Sequence, residues 1–404
     1  MKEFVGRKWT LFAKSSWNQT VHHIKLPAKK QIHCFLRYLW PMIAVLFLAA
    51  LLVQLVYRWF VFSPWLFEKK PRPENEIAQP CSVVICARNE AESLRANLPF
   101  ILQQNHPNFE VLVIDDASTD ATREVLCAFA EQDQRLRFYS ISKKEKAGKR
   151  EALTLGLEKA QHSLVVLTDS DCRPASSHWL QKMQSAFGPN TDLVLGYSPM
   201  APDSGFLNAW CRFETAFTAL QYFSMAARGN PYMGVGRNIA WRREVLLKFL
   251  QEQPQTTVSG DDDLSVNALA QSDRYNYIDD PDTWVFTEAP GSWKSWLRQK
   301  KRHLSTGSFY KWSDQFLLAL FAASLALLYG TGAWLLYFSP SSMLLRVGLF
   351  AHLLTLYFQA WFFTKKTGIR DLYFLMPVWD ALLAIYFGVL VPWFLWIRKG
   401  GAEW

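Results

Sequence analysis

Leu164-Val165-Val166-Leu167-Thr168-Asp169-Ser170-Asp171 is a short apolar run closed by two carboxylates two positions apart. Too brief for a helix, Leu164–Thr168 reads as a strand buried on both faces. Outward from it the pattern repeats. Strands are expected over Ser82–Ala87, Glu110–Asp115, Arg137–Ile141 and Leu193–Tyr197, with helices near Ala91–Gln103, Thr119–Glu131, Gly148–Ala160 and Ser177–Phe187. Buried strands alternating with helices predict a mainly parallel α/β sheet, and ligands of such sheets bind beyond the carboxyl ends of the strands.

Those ends are acidic. Arg88-Asn89-Glu90 follows the first strand, Asp115-Asp116-Ala117-Ser118-Thr119-Asp120 the second, and Asp169-Ser170-Asp171 the fourth. Carboxylates gathered at one sheet edge repel unless a cation or ligand donors offset them. An i, i+2 pair suits a hard divalent ion that also holds phosphate oxygens. Taken singly, each set fits a solvated turn or a helix N-cap as well. Lys146-Ala147-Gly148-Lys149 precedes a helix, where N–H groups and ammoniums receive anions. It is not a P-loop, since Lys143 stands where the first Gly should and Arg150 replaces Ser/Thr. Gly234-Val235-Gly236 lacks the third glycine of a dinucleotide fingerprint, which excludes the dehydrogenase reading. Ser259-Gly260-Asp261-Asp262-Asp263 places three carboxylates before a helical run. They are either an acidic first turn favoured by the helix dipole or the source of a general base.

The flanks differ from this middle. The chain has 404 residues, 50% hydrophobic and 20% charged, with net charge +9, and a mean hydropathy of −0.03 that averages unlike segments. Leu39–Phe62, Gln315–Phe338, Met343–Phe363 and Phe374–Ile397 are long and apolar enough to cross about 30 Å of hydrocarbon. Met1–Tyr38 carries +7 and Gly291–Trp312 carries +6, leaving −4 on the remainder. Basic charge confined to segments beside apolar runs points to anionic lipid headgroups, not to nucleic acid. Residues 291–312, rich in Trp, Lys and Arg, read as an amphipathic segment lying at the interface. Lys365, Lys366 and Arg370 between the third and fourth runs place that loop in the cytosol, and parity puts Ser63–Asp314 there too. Parity also sends the basic arm outside, against its own charge. Translocation of the arm, a first run that does not span as a simple helix, and an arm folded back on the surface all stay open. Intramembrane charge is sparse, at Arg58, Arg346 and Asp380, which argues against a transporter. The six scattered cysteines read as free thiols in a reducing compartment. The aromatic stretch Gly205–Arg228 reads either as an acceptor-lining helix or as packing beneath the sheet.

In order, these residues resemble the membrane-integrated family 2 glycosyltransferases, the inverting GT-A group that includes cellulose, hyaluronan and poly-N-acetylglucosamine synthases and ceramide glucosyltransferases. The resemblance runs from Cys81 to the C-terminus, with its motifs between Val83 and Gly307. It implies a GT-A-type, Rossmann-like catalytic domain at 80–290. Around that domain it places a basic arm at 1–38, a membrane helix at 39–62, an interfacial segment at 291–312 and three membrane helices over 315–397. It implies that Arg88, Asn89, Glu90, Asp115 and Asp116 meet the nucleotide, and that Lys146 and Lys149 approach the base and diphosphate. Asp169 and Asp171 are the implied D-x-D pair for Mg²⁺ or Mn²⁺, and Gly234, Gly236, Arg237 and Asn238 line donor sugar and acceptor. Asp261 is the preferred catalytic base, with Asp262 and Asp263 as alternatives because Thr and Glu of the family's T-E-D appear as Ser259 and Gly260. Gln299, Arg302 and His303 stand for Q-x-x-R-W, with His303 in place of the tryptophan that would stack on a sugar.

The expected function is inverting transfer from a nucleotide sugar, a UDP-sugar for preference, to a lipid or membrane-proximal hydroxyl. Processive synthesis and export of a polymer is the alternative, and a non-catalytic nucleotide-sugar-binding membrane protein a lesser one. The expected partners are donor, lipid or glycan acceptor and membrane lipids. No nucleic acid is expected, and a partner subunit is left open. The expected location is the cell membrane, with the catalytic domain cytosolic.

Overall fold

A computed structural model describes residues 28–67, 78–144, 148–253, 260–270 and 274–398. Residues 1–27 of the basic arm, Lys146 and Ser259 lie outside them.

A seven-stranded sheet has the order β3-β2-β1-β4-β7-β6-β8. Its parallel half is β1 (Cys81–Ala87), β2 (Phe109–Asp116), β3 (Leu136–Ile141) and β4 (Leu164–Asp169). β1, β2 and β4 are buried almost throughout, which is why they read as unbroken apolar runs. The other half is β7 (Ile239–Arg242), antiparallel to both neighbours, then β6 (Leu193–Leu195) and β8 (Tyr275–Tyr277). The expected strand Leu193–Tyr197 is thus shorter and pairs antiparallel with β7. β5 (Cys172–Pro174) and β9 (Val285–Thr287) form a separate antiparallel pair just past β4.

α1 (Ala28–Val56) continues through a π-helical segment, Tyr57–Phe62, into Ser63–Phe67. The sheet is flanked by α2 (Ala91–Leu102), α3 (Thr122–Gln132), α4 (Arg150–Lys159) and α5 (Trp179–Ser185). Then come α6 (Phe206–Ala227), α7 (Arg243–Glu252), α8 (Asp261–Leu269) and α9 (Trp293–Thr306). The chain ends in α10 (Trp312–Phe338), α11 (Met343–Thr367), α12 (Met376–Ile385) and α13 (Val391–Arg398), with a π-helical segment, Tyr386–Leu390, between the last two. Leu39–Phe67, Trp312–Phe338, Met343–Thr367 and Arg370–Phe394 are long and apolar enough to cross a membrane.

On one sheet face Leu94, Leu98, Leu126 and Trp179 close a core over Val83, Ile85 and Val113. On the other, a single core runs from Val84 and Leu112 through Leu157, Phe217 and Phe223 on α6 to Phe321 and Trp379 in the membrane helices. α6 is therefore packed beneath the sheet and joins it to the bundle, as the second reading of Gly205–Arg228 had it. The α11–α12 turn docks on the sheet domain. There Lys366 Nζ meets Asp279 Oδ2 at 3.0 Å, and Arg212 holds Asp371 through two bonds of 2.7 Å.

Each membrane segment also gives one polar member to a buried node. Asp380 Oδ1 accepts from Arg58 at 2.8 Å, while Oδ2 accepts from Tyr329 at 2.9 Å and lies 3.0 Å from His352 Nε2. Both carboxylate oxygens are thereby occupied, so this sparse intramembrane charge holds helices together. An ionised carboxylate without such partners would be costly in hydrocarbon.

Candidate active site

The site lies where β1, β2 and β4 end. Asn89 adopts φ 57°, a left-handed conformation that Asn tolerates better than most residues. That bend lets its backbone N–H donate to Ser118 Oγ (2.9 Å) while its Oδ1 accepts from the Thr119 N–H (2.8 Å). The Glu90 N–H donates to Thr122 Oγ1 (2.9 Å), so the loops after β1 and β2 are stitched together. Arg88 and Asn89 remain exposed. Asp115 and Asp116 are buried. Asp115 Oδ1 closes a turn by accepting from the Ser118 N–H, and Asp116 Oδ2 pairs with Lys144. Asp116 Oδ1 is buried with no hydrogen-bond partner among the described residues.

The two D-x-D carboxylates part company. Asp169 lies 3.3 Å from Lys149 Nζ at the start of α4, and this charge raises the lysine pKa. Asp171 is exposed, accepts from Thr287 Oγ1 on β9 at 3.2 Å and has no cationic partner among the described residues. Burial, then the charges of Asp171, Asp169 and Asp120, push Glu90 above the usual carboxylate range. This edge therefore carries uncompensated negative charge. Among the described residues no three His, Cys, Asp or Glu side chains converge as a cage. The donor set fits a Mg²⁺- or Mn²⁺-type ion that takes its other oxygens from phosphate and water.

The Gly234–Asn238 loop faces α8. The Gly236 N–H donates to Asp262 Oδ2 at 2.6 Å. A Cβ on Gly236 would stand 2.6 Å from that oxygen and 3.1 Å from Lys149 Nζ, so a larger residue would push these two groups aside. Arg237 is half-buried and makes no ion pair or hydrogen bond with a described residue. Asn238 is fully buried and points away from the cleft. Its Oδ1 accepts from Trp179 Nε1, and its Nδ2 donates to the Tyr197 and Thr283 carbonyls at 2.7 and 2.8 Å. With these bonds made, it braces the sheet and has no free group for a donor sugar.

The three acids diverge because successive helical residues turn by about 100°. Asp261 is 4% exposed, 3.5 Å from Arg150, with Oδ2 unpartnered among the described residues. Burial lifts its pKa, against the opposing Arg150 charge. Asp262 is half-buried and, together with Asp261, shares the cleft with Lys149, Asp169 and Gly236. Asp263 accepts from Tyr310 OH at 3.0 Å on the far side. Gly260, at φ 93°, starts this helix against Thr306 of α9.

On α9, Trp296 and Lys300 turn inward, Lys300 onto buried Glu214 of α6, while Arg302 and His303 stay exposed. Gln299 Oε1 is buried without a partner among the described residues. Sequence reasoning missed Lys144, Thr287 and Tyr310, whose partners are 28, 116 and 47 residues away. No local pattern signals such contacts.

Residues 82–249 match the family model described as Glycosyl transferase family 2. The chain carries a glycosyltransferase family 2 domain. It is 32% identical over 184 residues to the glycosyltransferase AglE of Haloferax volcanii, covering 45% of this chain and 58% of that protein. It is 32% identical over 143 residues to the putative teichuronic acid biosynthesis glycosyltransferase TuaG of Bacillus subtilis, covering 34% of this chain and 54% of that one. The chain thus spans little more than half the length of these relatives. In fold, it matches the mannosyltransferase PcManGT of Pyrobaculum calidifontis, solved with GDP-mannose and Mn²⁺. The TM-score is 0.57 at 19% identity, over 84% of this chain and 98% of that one. The glycosyltransferase domain has the expected α/β GT-A-type fold, and four candidate membrane helices among the described residues accompany it.

Proposed function

We propose that this chain is an inverting membrane glycosyltransferase that moves a sugar from a nucleoside diphosphate sugar to a hydroxyl of a lipid or membrane-proximal acceptor. The observation that carries this reading is the meeting of Asp262, Lys149 and Asp169 in one cleft of a family 2 domain built directly onto four membrane helices. Asp116 Oδ1 suits a ring N–H donor, which uracil presents at N3 and guanine at N1. Asp171, with Asp169 beside it, would hold a divalent ion, which neutralises the leaving diphosphate when bound. Lys149 and Arg302 add positive charge there.

The base is assigned to Asp262, one of the two alternatives to Asp261. Asp261 and Asp262 both line the cleft, and Asp262, the less buried of the two, takes the acceptor proton, while Asp261 also lies against Arg150 and Asp263 faces Tyr310. The acceptor oxygen bonds to the anomeric carbon as the bond from that carbon to the diphosphate breaks. One displacement inverts configuration. His303, in the place of a stacking Trp, supports short products over processive polymer. The lysine-bearing α11–α12 turn docks on the sheet domain, so positive-inside charge supports a cytosolic site in the cell membrane.

The test incubates purified protein with UDP- and GDP-sugars plus Mg²⁺ or Mn²⁺ and measures nucleotide release with and without membrane lipid extract. One donor is expected to respond. Asp262→Asn and Asp171→Asn should each lower that turnover by about 10²–10⁴-fold. Undiminished turnover in Asp262→Asn, with the donor still bound, overturns the base assignment. No release from any donor contradicts the enzyme reading.

A further inference from the structure

Asp314 stands in the first turn of membrane helix α10, 1% exposed, and no lysine, arginine or histidine among the described residues pairs with it. The helix dipole favours an acid at such a position. It does not account for the partners. Oδ2 accepts from Asn267 Nδ2 at 2.8 Å, and Oδ1 accepts from Asn230 Nδ2 at 2.9 Å. Asn267 lies on α8, the helix that opens with Asp261, Asp262 and Asp263. Asn230 begins the segment leading to Gly236, whose N–H holds Asp262. One buried carboxylate therefore grips both elements that place Asp262.

The grip is reinforced. The second N–H of the Asn267 amide reaches the Tyr232 carbonyl (3.2 Å), and its Oδ1 accepts from the Lys311 N–H (2.9 Å). Its hydrogen-bonding capacity is thereby largely spent between α8 and the entry to α10. Tyr310, four residues before Asp314, donates to Asp263. Bonds to an ionised acceptor are shorter and stronger than neutral ones. An unpaired buried carboxylate is costly, and bonding the helix and the loop together is what this one does.

Resting on the glycosyltransferase reading, we propose that Asp314 is a positioning residue for Asp262. Through Asn267 and Asn230 it ties the base to the seat of α10 in the bilayer. It touches no reacting atom. Its loss lets α8 and the 230–236 segment drift apart, and displacements of about 1 Å cost on the order of 100-fold in rate.

The experiment uses the full chain in lipid nanodiscs. In Asp314→Asn one accepting oxygen becomes an NH₂ that meets an asparagine NH₂, so one bond is lost. Turnover is expected to fall by about 10- to 100-fold, with donor KM and nucleotide Kd within about twofold of wild type. Hydrogen exchange should speed up across 261–269 and not across the sheet. The double variant Asn230→Asp/Asp314→Asn restores a donor facing an acceptor, since the Asn230 side-chain amide bonds only to Asp314 among the described residues, and its turnover should return to within about fivefold of wild type. Turnover of Asp314→Asn within about twofold of wild type, or unchanged exchange at 261–269, overturns the proposal. A wild-type protein silent with every donor contradicts the enzyme reading instead, and exchange at 261–269 then decides the link by itself.

Discussion

Asp261, Asp262 and Asp263 are chemically identical and differ in what each faces: Asp261 a guanidinium and the cleft, Asp262 the cleft and the Gly236 N–H, and Asp263 a tyrosine hydroxyl. Burial, then the charge of Asp262, pushes the Asp263 carboxyl well above the usual range, against the Tyr310 bond. The folded chain thus holds this proton to higher pH than the unfolded chain. The associated stability is intact below the unfolded pKa and is lost as pH rises through the folded one. Asp263→Asn removes the ionisation and keeps an oxygen for Tyr310. Its melting temperature in detergent is expected to exceed that of wild type by about 2 °C at pH 8, the gain vanishing toward pH 4. A gain independent of pH, or a loss at pH 8, would show that burial of this charge is not what limits stability. From sequence the triplet was visible as acidic, but its division of labour was not, because Arg150 and Tyr310 reach it through space.

At the scale of elements, the strands on which the site rests were legible. β1, β2 and β4 are buried apolar runs bounded by polar turns, β3 is a half-buried edge strand, and the expected ends of all four agree to within two residues. β5, β7, β8 and β9 have only three or four residues each, too few for a period to show. Asn238 illustrates the limit of motif reasoning. It sits between Arg237 and a buried strand, yet its amide is consumed by Trp179, Tyr197 and Thr283. Gly236 is the opposite case, a glycine whose lack of Cβ brings α8, its own loop and α4 together. Gly236→Ala is expected to lower turnover by about 10- to 100-fold while the circular dichroism spectrum stays that of wild type. Retained turnover would mean that Asp262 and Lys149 tolerate separation.

Over the whole molecule, catalytic domain and bundle share one core through α6, α8 is tied to α10, and the α11–α12 turn is clamped to the sheet domain. The apolar runs were legible as membrane helices from length alone. Their joining through Arg58, Tyr329, His352 and Asp380 was not, since one polar residue per helix leaves no pattern. A site built onto the membrane in this way favours an acceptor that arrives from the bilayer. The most direct test supplies donor carrying a radiolabelled sugar to the protein in vesicles containing membrane lipid extract, then partitions the product between organic solvent and water. The label is expected in the organic phase on a product bearing one or a few sugars, and absent with Asp262→Asn. Label confined to a long water-soluble polymer, or equal in wild type and Asp262→Asn, would contradict a membrane-acceptor transferase.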